Sequence, residues 1–159
     1  MLLFQTPSAP DLVVGSPAPA ITFQTADGRS LTLESLKGKV VVLTFTGYNC
    51  PACRTLEPKL AELAAKDRDV VFLDVSVDSP EFFPKLAALK AKDDPIKLVQ
   101  DPYNTDRSKM GVWKYGNVAT PTMFVIDRKG RMASLANQEC VDGLTRLQYR
   151  IEWAQKLKD

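Results

Sequence analysis

Residues 44–53 read TFTGYNCPAC, and this stretch sets the organisation of the chain. The β-branched run VVVL at 40–43 comes before it and predicts a strand buried on both faces. An apolar stripe of three- and four-residue spacing follows, as in a helix packed on a sheet: Cys53, Leu56, Leu60 and Leu63. The stretch is therefore predicted to be a strand end, a turn and a helix start.

This arrangement places Cys50 at or near the N-terminus of a helix. Unpaired backbone N–H groups and the positive end of the helix dipole favour a thiolate over a thiol there. Cys53 lies one turn deeper, close enough to form a disulfide with Cys50 and to release a partner that Cys50 has captured. With a strand before it and a helix after it, the Cys-x-x-Cys spacing favours a redox-active dithiol.

Two other interpretations of the cysteine pair are half of a zinc site and a structural disulfide. Zinc prefers four nitrogen or sulfur ligands, and the chain has no histidine and one further cysteine, Cys140. A disulfide that closes so short a loop removes little chain entropy. We therefore expect no metal and no cofactor. For Cys140 we favour a semi-buried structural cysteine over a third redox residue.

Composition restricts the remaining classes. The 159 residues are enough for one domain with a hydrophobic core, and the basic residues behind the net charge of +2 are scattered. We therefore expect no nucleic-acid partner. No apolar run approaches the roughly 18 residues that a membrane span needs. The first residues lack the basic and apolar regions of a secretory signal.

The order of predicted elements indicates an α/β fold with a mixed central sheet flanked by helices. A β-hairpin around the turn ADGR at 26–29 comes before the strand at 40–45. An inserted helix and strand separate the strand at 70–77 from the one at 122–126. A second helix is predicted to have one apolar face with Phe82, Leu86 and Leu89. Helical turns are predicted at 34–37 and 105–112, and a returning strand at 131–135. The last helix is predicted to run from about Gly143 to Leu157.

Three motifs in order resemble the thioredoxin superfamily, in its TlpA/ResA-like branch of thiol-disulfide oxidoreductases. They are GSPAP at 15–19 with LKGK at 36–39, CPAC at 50–53 with Pro58 in the helix, and YGNVATPTMFVID at 115–127. The resemblance implies a thioredoxin-like domain over residues 15–159, after an extended lead-in at 1–14. It also implies a cis Pro121 facing the cysteines, with the backbone of Thr120 aligning an incoming chain.

The expected catalytic residues are Cys50, which attacks a partner disulfide, and Cys53, which resolves the mixed disulfide, with Pro121 beside them. Substrate contacts are expected from Tyr48, Pro51, Ala52, Trp113 and Thr120. An apolar rim on which partners dock could be made by Tyr48, Trp113 and Tyr115. The same residues could equally be packing residues, and the sequence favours neither interpretation.

The chain departs from the family pattern where protons are handled. Thr44 stands where thioredoxin keeps a buried Asp, and Leu56 where the family often has an acidic residue. The family's usual tryptophans are replaced by Thr46 and Asn49. Glu57 becomes the possible proton-handling residue if the kink at Pro58 turns it inward, although a solvated Glu57 is favoured because it lies off the apolar stripe.

The predicted function is thiol-disulfide oxidoreduction on protein cysteines, and a reductant is favoured over an oxidant. The partners would be protein thiols or disulfides and an upstream dithiol donor, and we expect a monomer. The resemblance favours a periplasmic or membrane-facing location, with a cytoplasmic one left open.

Three alternatives compete with this function. A peroxiredoxin would need Pro at Leu43 and Thr at Gly47, and a copper carrier would need a histidine and a wider cysteine spacing. A thioredoxin-fold binding module or holdase with incidental cysteines stays open.

Overall fold

The computed structural model describes residues 12–116, 119–134 and 144–157. Within them the chain forms six strands: β1 Thr22–Thr25, β2 Ser30–Thr32, β3 Val40–Thr46, β4 Val70–Ser76, β5 Lys97–Gln100 and β6 Thr122–Ile126. The helices are α1 Pro51–Lys66, α2 Phe83–Ala87 and α3 Thr145–Lys156, with 3₁₀ segments at Glu34–Leu36, Arg107–Lys109 and Gly111–Tyr115.

The strands form one sheet in the order β2-β1-β5-β4-β3-β6. The three central strands, β5, β4 and β3, run parallel, and the pairs at both edges are antiparallel. The predicted mixed sheet, its N-terminal hairpin and the inserted helix and strand are therefore confirmed. The parallel pair β3–β4 matters most for the site, because its register aligns Thr44 with Asp74 and Thr46 with Ser76.

Two hydrophobic clusters cover the two faces of the sheet. One includes Val41, Leu43, Phe45, Tyr115 and Phe124 and lies on the side of the 3₁₀ segment Gly111–Tyr115. The other packs α1 and α3 on the opposite face, through Leu56, Leu60 and Ala64 of α1 and Leu147, Ile151 and Ala154 of α3. Strand β3 contributes side chains to both clusters because its successive side chains point to opposite faces of the sheet. No helix in the described ranges is long and apolar enough to cross a membrane.

The second helix differs from its prediction. It is the short α2, with Pro84 in its first turn, and it buries Phe83 and Leu86, while Leu89 is 57% exposed. Phe82 lies just before α2 and stacks on Tyr48 instead of joining an inner stripe. A helical period of 3.6 cannot extend past an element of five residues, so the predicted face was wrong at Phe82 and at Leu89 and right at Leu86.

Smaller differences concern the connections. The predicted helical turn at 105–112 is two 3₁₀ segments. In the described part of the chain after β6, Arg131 and Met132 form single bridges and no returning strand. The last helix begins at Thr145. Gly143, Leu135 and Cys140 lie outside the described residues.

Candidate active site

Cys50 and Cys53 lie where the central strand passes into the first long helix. Strand β3 ends at Thr46, and Cys50 is the N-cap of α1, with Pro51 as the first helical residue. Proline suits this position because its missing N–H would have no intrahelical acceptor. The two cysteines form a disulfide, with their Cα atoms 5.2 Å apart.

The Cys50 sulfur is also the capping acceptor of the helix. The backbone N–H of Cys53 donates to Cys50 Sγ, with 3.2 Å between N and S. A thiolate at this position would keep that donor and the helix dipole. Cys50 is 8% exposed and Cys53 is 4% exposed, so Cys50 is the more accessible of the two sulfur-bearing residues.

Charged side chains hold the turn between β3 and α1. The Asp78 carboxylate accepts from the backbone N–H of Tyr48 at 2.6 Å. The Arg54 guanidinium donates to the Gly47 carbonyl at 3.3 Å and to Thr46 Oγ1 at 3.2 Å. A Cβ on Gly47 would lie 3.3 Å from Asp78 Oδ1, a tight contact, so glycine lets the carboxylate approach the backbone. These contacts fix the turn that carries Cys50.

A groove and a cavity adjoin the disulfide, one in front of it and one behind it. The Cys50 groove, as we call it, has a volume of about 260 Å³, and its walls include Cys50, Asp78, Arg107, Val112 and Thr120. The Cys53 cavity is far smaller, at about 10 Å³. It is lined by Thr44, Thr46, Cys53, Leu56, Glu57, Leu60, Asp74 and Pro121. The buried Pro121 follows a cis peptide bond from Thr120, as the resemblance predicted.

The aromatic residues proposed for a docking rim take different positions. Tyr48 is half-buried and stacks on Phe82, with ring centroids 5.7 Å apart, and Trp113 is also half-buried. Tyr115 is 1% exposed, and its hydroxyl donates to the Pro19 carbonyl at 2.9 Å. Burial raises the pKa of Tyr115 above its usual value. Tyr115 is therefore a core residue, and a rim that includes it is wrong.

Pro51 and Ala52 are exposed at the start of α1. They lie between the two cysteines in sequence and are open to solvent. Their structure thus leaves them accessible, as a role in substrate contact requires.

Behind the disulfide lies a cluster of five charged residues. Lys90 Nζ is 2.8 Å from Glu57 Oε1, 2.8 Å from Asp74 Oδ2 and 3.2 Å from Asp94 Oδ2. Arg54 joins through Glu57, with 3.6 Å between guanidinium nitrogen and carboxylate oxygen. We call these residues the Lys90 cluster. Glu57 is thus paired and turned inward, and the solvated Glu57 favoured from the sequence is wrong.

The pKa values of the cluster reflect its burial. Desolvation raises the pKa of Asp74 above its usual value, against the lowering effect of Lys90. Desolvation lowers the pKa of Lys90, but the charges and hydrogen bonds of Asp74 and Glu57 outweigh it and raise this pKa to about 12. Three carboxylates face two cations, so one negative charge is in excess when all are ionised.

Sequence reasoning missed Asp74 and Lys90. A signal for Asp74 was present, because an acidic residue interrupts the apolar run at 70–77 on the same strand face as Ser76. For Lys90 the sequence offered only the i,i+4 spacing to Asp94, which is common on solvated surfaces. Within the described ranges, no group of three or more His, Cys, Asp or Glu is arranged to hold a metal ion.

The sheet, the disulfide at the start of α1 and the adjoining cis proline define a thioredoxin-fold protein. The family comparison agrees: the model of the AhpC/TSA family matches residues 14–134, and the chain belongs to this family. The predicted thioredoxin-superfamily membership is confirmed, and so is the thioredoxin-like fold.

Curated relatives carry names of the predicted class. Thiol-disulfide oxidoreductase ResA of Bacillus thuringiensis (strain Al Hakam) is 29% identical over 119 residues, which span 75% of this chain and 66% of ResA. ResA of Geobacillus thermodenitrificans is 30% identical over 127 residues, 78% of this chain and 69% of that protein. Thioredoxin H8 of Arabidopsis thaliana is 52% identical over 48 residues. The chain spans 32% of Thioredoxin H8 and about two thirds of the ResA proteins.

Solved structures support the same class. A thiol:disulfide interchange protein from Bacteroides sp. matches 93% of this chain and 94% of its own, with a TM-score of 0.70 and 25% identity. The thioredoxin domain of a thiol-disulfide oxidoreductase from Bacteroides vulgatus matches 87% and 97%, with a TM-score of 0.67 and 28% identity. The two ResA relatives and the Bacteroides vulgatus structure are thus named as thiol-disulfide oxidoreductases, the class that the sequence predicted.

Proposed function

We propose that this chain is a thiol-disulfide oxidoreductase that acts on protein cysteines through Cys50 and Cys53. One observation carries the proposal: the disulfide lies at the N-cap of α1, with Cys50 in the wall of an open groove. That position favours a thiolate in the reduced state and gives an incoming sulfur access to it. The names of the ResA relatives support the same chemistry.

The proposed cycle has two exchange steps. The Cys50 thiolate attacks one sulfur of a partner disulfide; that S–S bond breaks, a mixed disulfide forms, and the partner's other sulfur leaves as a thiolate and takes up a proton. Cys53 then loses its proton and attacks Cys50 Sγ, which releases the second partner sulfur. The partner gains two electrons, and the chain is left with the Cys50–Cys53 disulfide. An upstream dithiol donor returns the two electrons.

The reductant direction rests on charge. When its three carboxylates are ionised, the Lys90 cluster carries one excess negative charge beside the Cys53 cavity, which disfavours a thiolate on either cysteine and favours the neutral disulfide. Pro51 contributes no N–H to a Cys50 thiolate, and no basic residue lies between the cysteines. Both features lower the reduction potential, which suits a donor of electrons.

Cys53 must lose a proton for the second step, and we propose that the Lys90 cluster accepts it. Glu57 and Asp74 both line the Cys53 cavity, which has room for about one water. The raised pKa of Asp74 means that this carboxyl holds a proton more readily than an exposed one. Lys90 positions both carboxylates through its two 2.8 Å contacts.

Two further points of the proposal concern assembly and location. We propose a monomer, and an extracytoplasmic location, from the TlpA/ResA-like resemblance. Sedimentation of the purified chain would test the first, and fractionation of the source cells would test the second.

The first experiment measures the Cys50/Cys53 reduction potential in glutathione and dithiothreitol buffers, with alkylation after an acid quench. A value near that of thioredoxin, about −270 mV, supports a reductant. A value near about −120 mV overturns the direction. The Cys50→Ser, Cys53→Ser double variant should lose disulfide reduction, and Cys140→Ser should retain it. If the double variant assists the refolding of other proteins as well as the parent chain does, and the parent shows no reversible Cys50/Cys53 redox couple, the holdase alternative is favoured.

The proton-transfer role is tested by the pH dependence of mixed-disulfide resolution. Asp74→Asn and Glu57→Gln should slow resolution by Cys53 and change its pH profile, because the acceptor is removed. Glu62→Gln, on the exposed side of α1, is the matched control. Unchanged pH profiles in both cluster variants would exclude the proposed acceptor, while the oxidoreductase function would stand.

A further inference from the structure

The Cys50 groove is lined by two charged side chains, Asp78 and Arg107, among uncharged neighbours. Its other walls are backbone and short side chains such as Gly47, Val112 and Thr120. A partner segment that reaches Cys50 passes both charges. Which of them is free to bind that segment therefore decides the electrostatic preference of the groove.

Asp78 is already engaged by the protein. Its Oδ2 accepts from the backbone N–H of Tyr48 at 2.6 Å and lies 3.4 Å from Ser76 Oγ, and its Oδ1 packs against Gly47. These contacts hold the turn that carries Cys50. Of the two carboxylate oxygens, Oδ2 is therefore already used as a hydrogen-bond acceptor by the turn.

Arg107 has no comparable engagement. Within residues 12–116, 119–134 and 144–157, its exposed side chain makes no hydrogen bond or ion pair. The neighbouring acid, Asp106, already accepts from Ser108 N and Ser108 Oγ and lies 3.5 Å from Lys109 Nζ. Of the two charged residues that line the Cys50 groove, Arg107 is therefore the one whose side chain has no hydrogen bond or ion pair within the described residues.

We propose that Arg107 is a specificity-determining residue that selects partners with an acidic side chain close to the disulfide that Cys50 attacks. A guanidinium can bind a carboxylate through two parallel N–H donors, which gives orientation as well as attraction. This inference rests on the proposed function, because it concerns the substrate of the same reaction. It names the partner class as acidic disulfide-containing peptide segments.

The experiment compares two synthetic peptides that share one intramolecular disulfide and differ in the residues within two positions of it. One peptide carries Asp there and the other carries Lys. The measurement is kcat/KM for reduction of each peptide by the full chain, with dithiothreitol as the donor. The variants are Arg107→Glu and, as the matched control on the same 3₁₀ segment, Lys109→Glu, whose native side chain is paired with Asp106.

The parent chain should prefer the acidic peptide by about threefold to tenfold, which is typical of one charge-assisted contact at a partly exposed site. Arg107→Glu should reverse this preference, Lys109→Glu should keep it, and added salt should reduce it. Equal reduction of both peptides, or an unchanged preference in Arg107→Glu, overturns the inference and leaves the proposed function intact. If neither peptide is reduced by the parent chain, the proposed function fails and the inference fails with it.

Discussion

The two faces of the β3–β4 strand pair have opposite characters at their carboxyl ends. On the face away from α1, the side chains stay apolar to the end: Val41, Leu43 and Phe45 of β3, and Leu73 and Val75 of β4. On the face under α1, Val40, Val42, Val70 and Phe72 give way to Thr44, Thr46, Asp74 and Ser76. The polar half of this face lies directly behind the disulfide, and the Cys53 cavity is bounded by Thr44, Thr46 and Asp74.

Within this one pair of strands, the apolar face contributes to stability, and the polar half of the other face provides the groups beside the disulfide. Burying Asp74 as a carboxylate costs free energy that its ion pair with Lys90 offsets only in part. The apolar face, which is fully desolvated, supplies free energy without any such cost. Substitutions on the two faces should therefore change the free energy of unfolding by different amounts and for different physical reasons.

The largest effect is expected from truncation on the apolar face. Phe45 packs on Tyr115 and Phe124, with ring centroids 5.5 Å and 6.0 Å away, and is completely buried. Phe45→Ala should lower the free energy of unfolding by about 4 kcal/mol, measured by urea denaturation. Tyr149→Ala, at an exposed position of α3, should change it by less than about 0.5 kcal/mol. A loss below about 1.5 kcal/mol for Phe45→Ala would mean that this face contributes less than its burial implies.

Removing the cation from the polar face should cost somewhat less. Lys90→Met leaves Asp74, Glu57 and Asp94 facing one another without the ammonium group, which is 9% exposed in the parent chain. We expect a loss of about 3 kcal/mol in the free energy of unfolding at pH 7. The control is Lys92→Met, at an exposed position two residues along the chain. Equal effects of the two variants would show that the Lys90 cluster does not stabilise the fold.

The pH dependence of stability tests the same cluster through Asp74. Its folded pKa is raised above the unfolded value of 3.8, chiefly by desolvation, so its stabilising contribution is complete below pH 3.8 and is lost as the pH rises through the folded pKa. Asp74→Asn removes this titration. The free energy of unfolding of Asp74→Asn, relative to the parent, should therefore rise between pH 3 and pH 7.

Parallel urea titrations at several pH values measure this difference. Lys90 stays charged throughout, because its pKa is about 12, and Glu57, Asp94 and Arg54 are the other charged groups around Asp74. A difference that falls with increasing pH would show that the fold stabilises Asp74 as a carboxylate, which is the opposite of the expected sign.

The same contrast explains what the sequence could predict. Periodicity identifies β3 and α1, and the Cys-x-x-Cys spacing identifies the redox pair, because each signal lies within a few neighbouring residues. The apolar face follows from alternation alone. Lys90 could not be predicted, since a lysine in the Lys- and Asp-rich segment 90–94 is normally solvated, and only the path of the chain after α2 brings it to Asp74. Glu57 was misjudged for the same reason, because its inward partner comes from that segment.

The smallest effect is expected where the polar face contains a hydroxyl without a partner. Thr44 Oγ1 is buried and has no hydrogen-bond partner within the described part of the chain. Thr44→Val keeps the shape and removes a desolvated polar group, so the free energy of unfolding should stay unchanged or rise by up to about 1 kcal/mol. Thr122→Val is the matched control on β6, because Thr122 Oγ1 donates to the Ala119 carbonyl. That variant should lose about 1 kcal/mol. If Thr44→Val lowers the free energy of unfolding more than Thr122→Val does, the Thr44 hydroxyl stabilises the fold. The polar half of this face would then begin at Thr44 in its energetics as well as in its residue types.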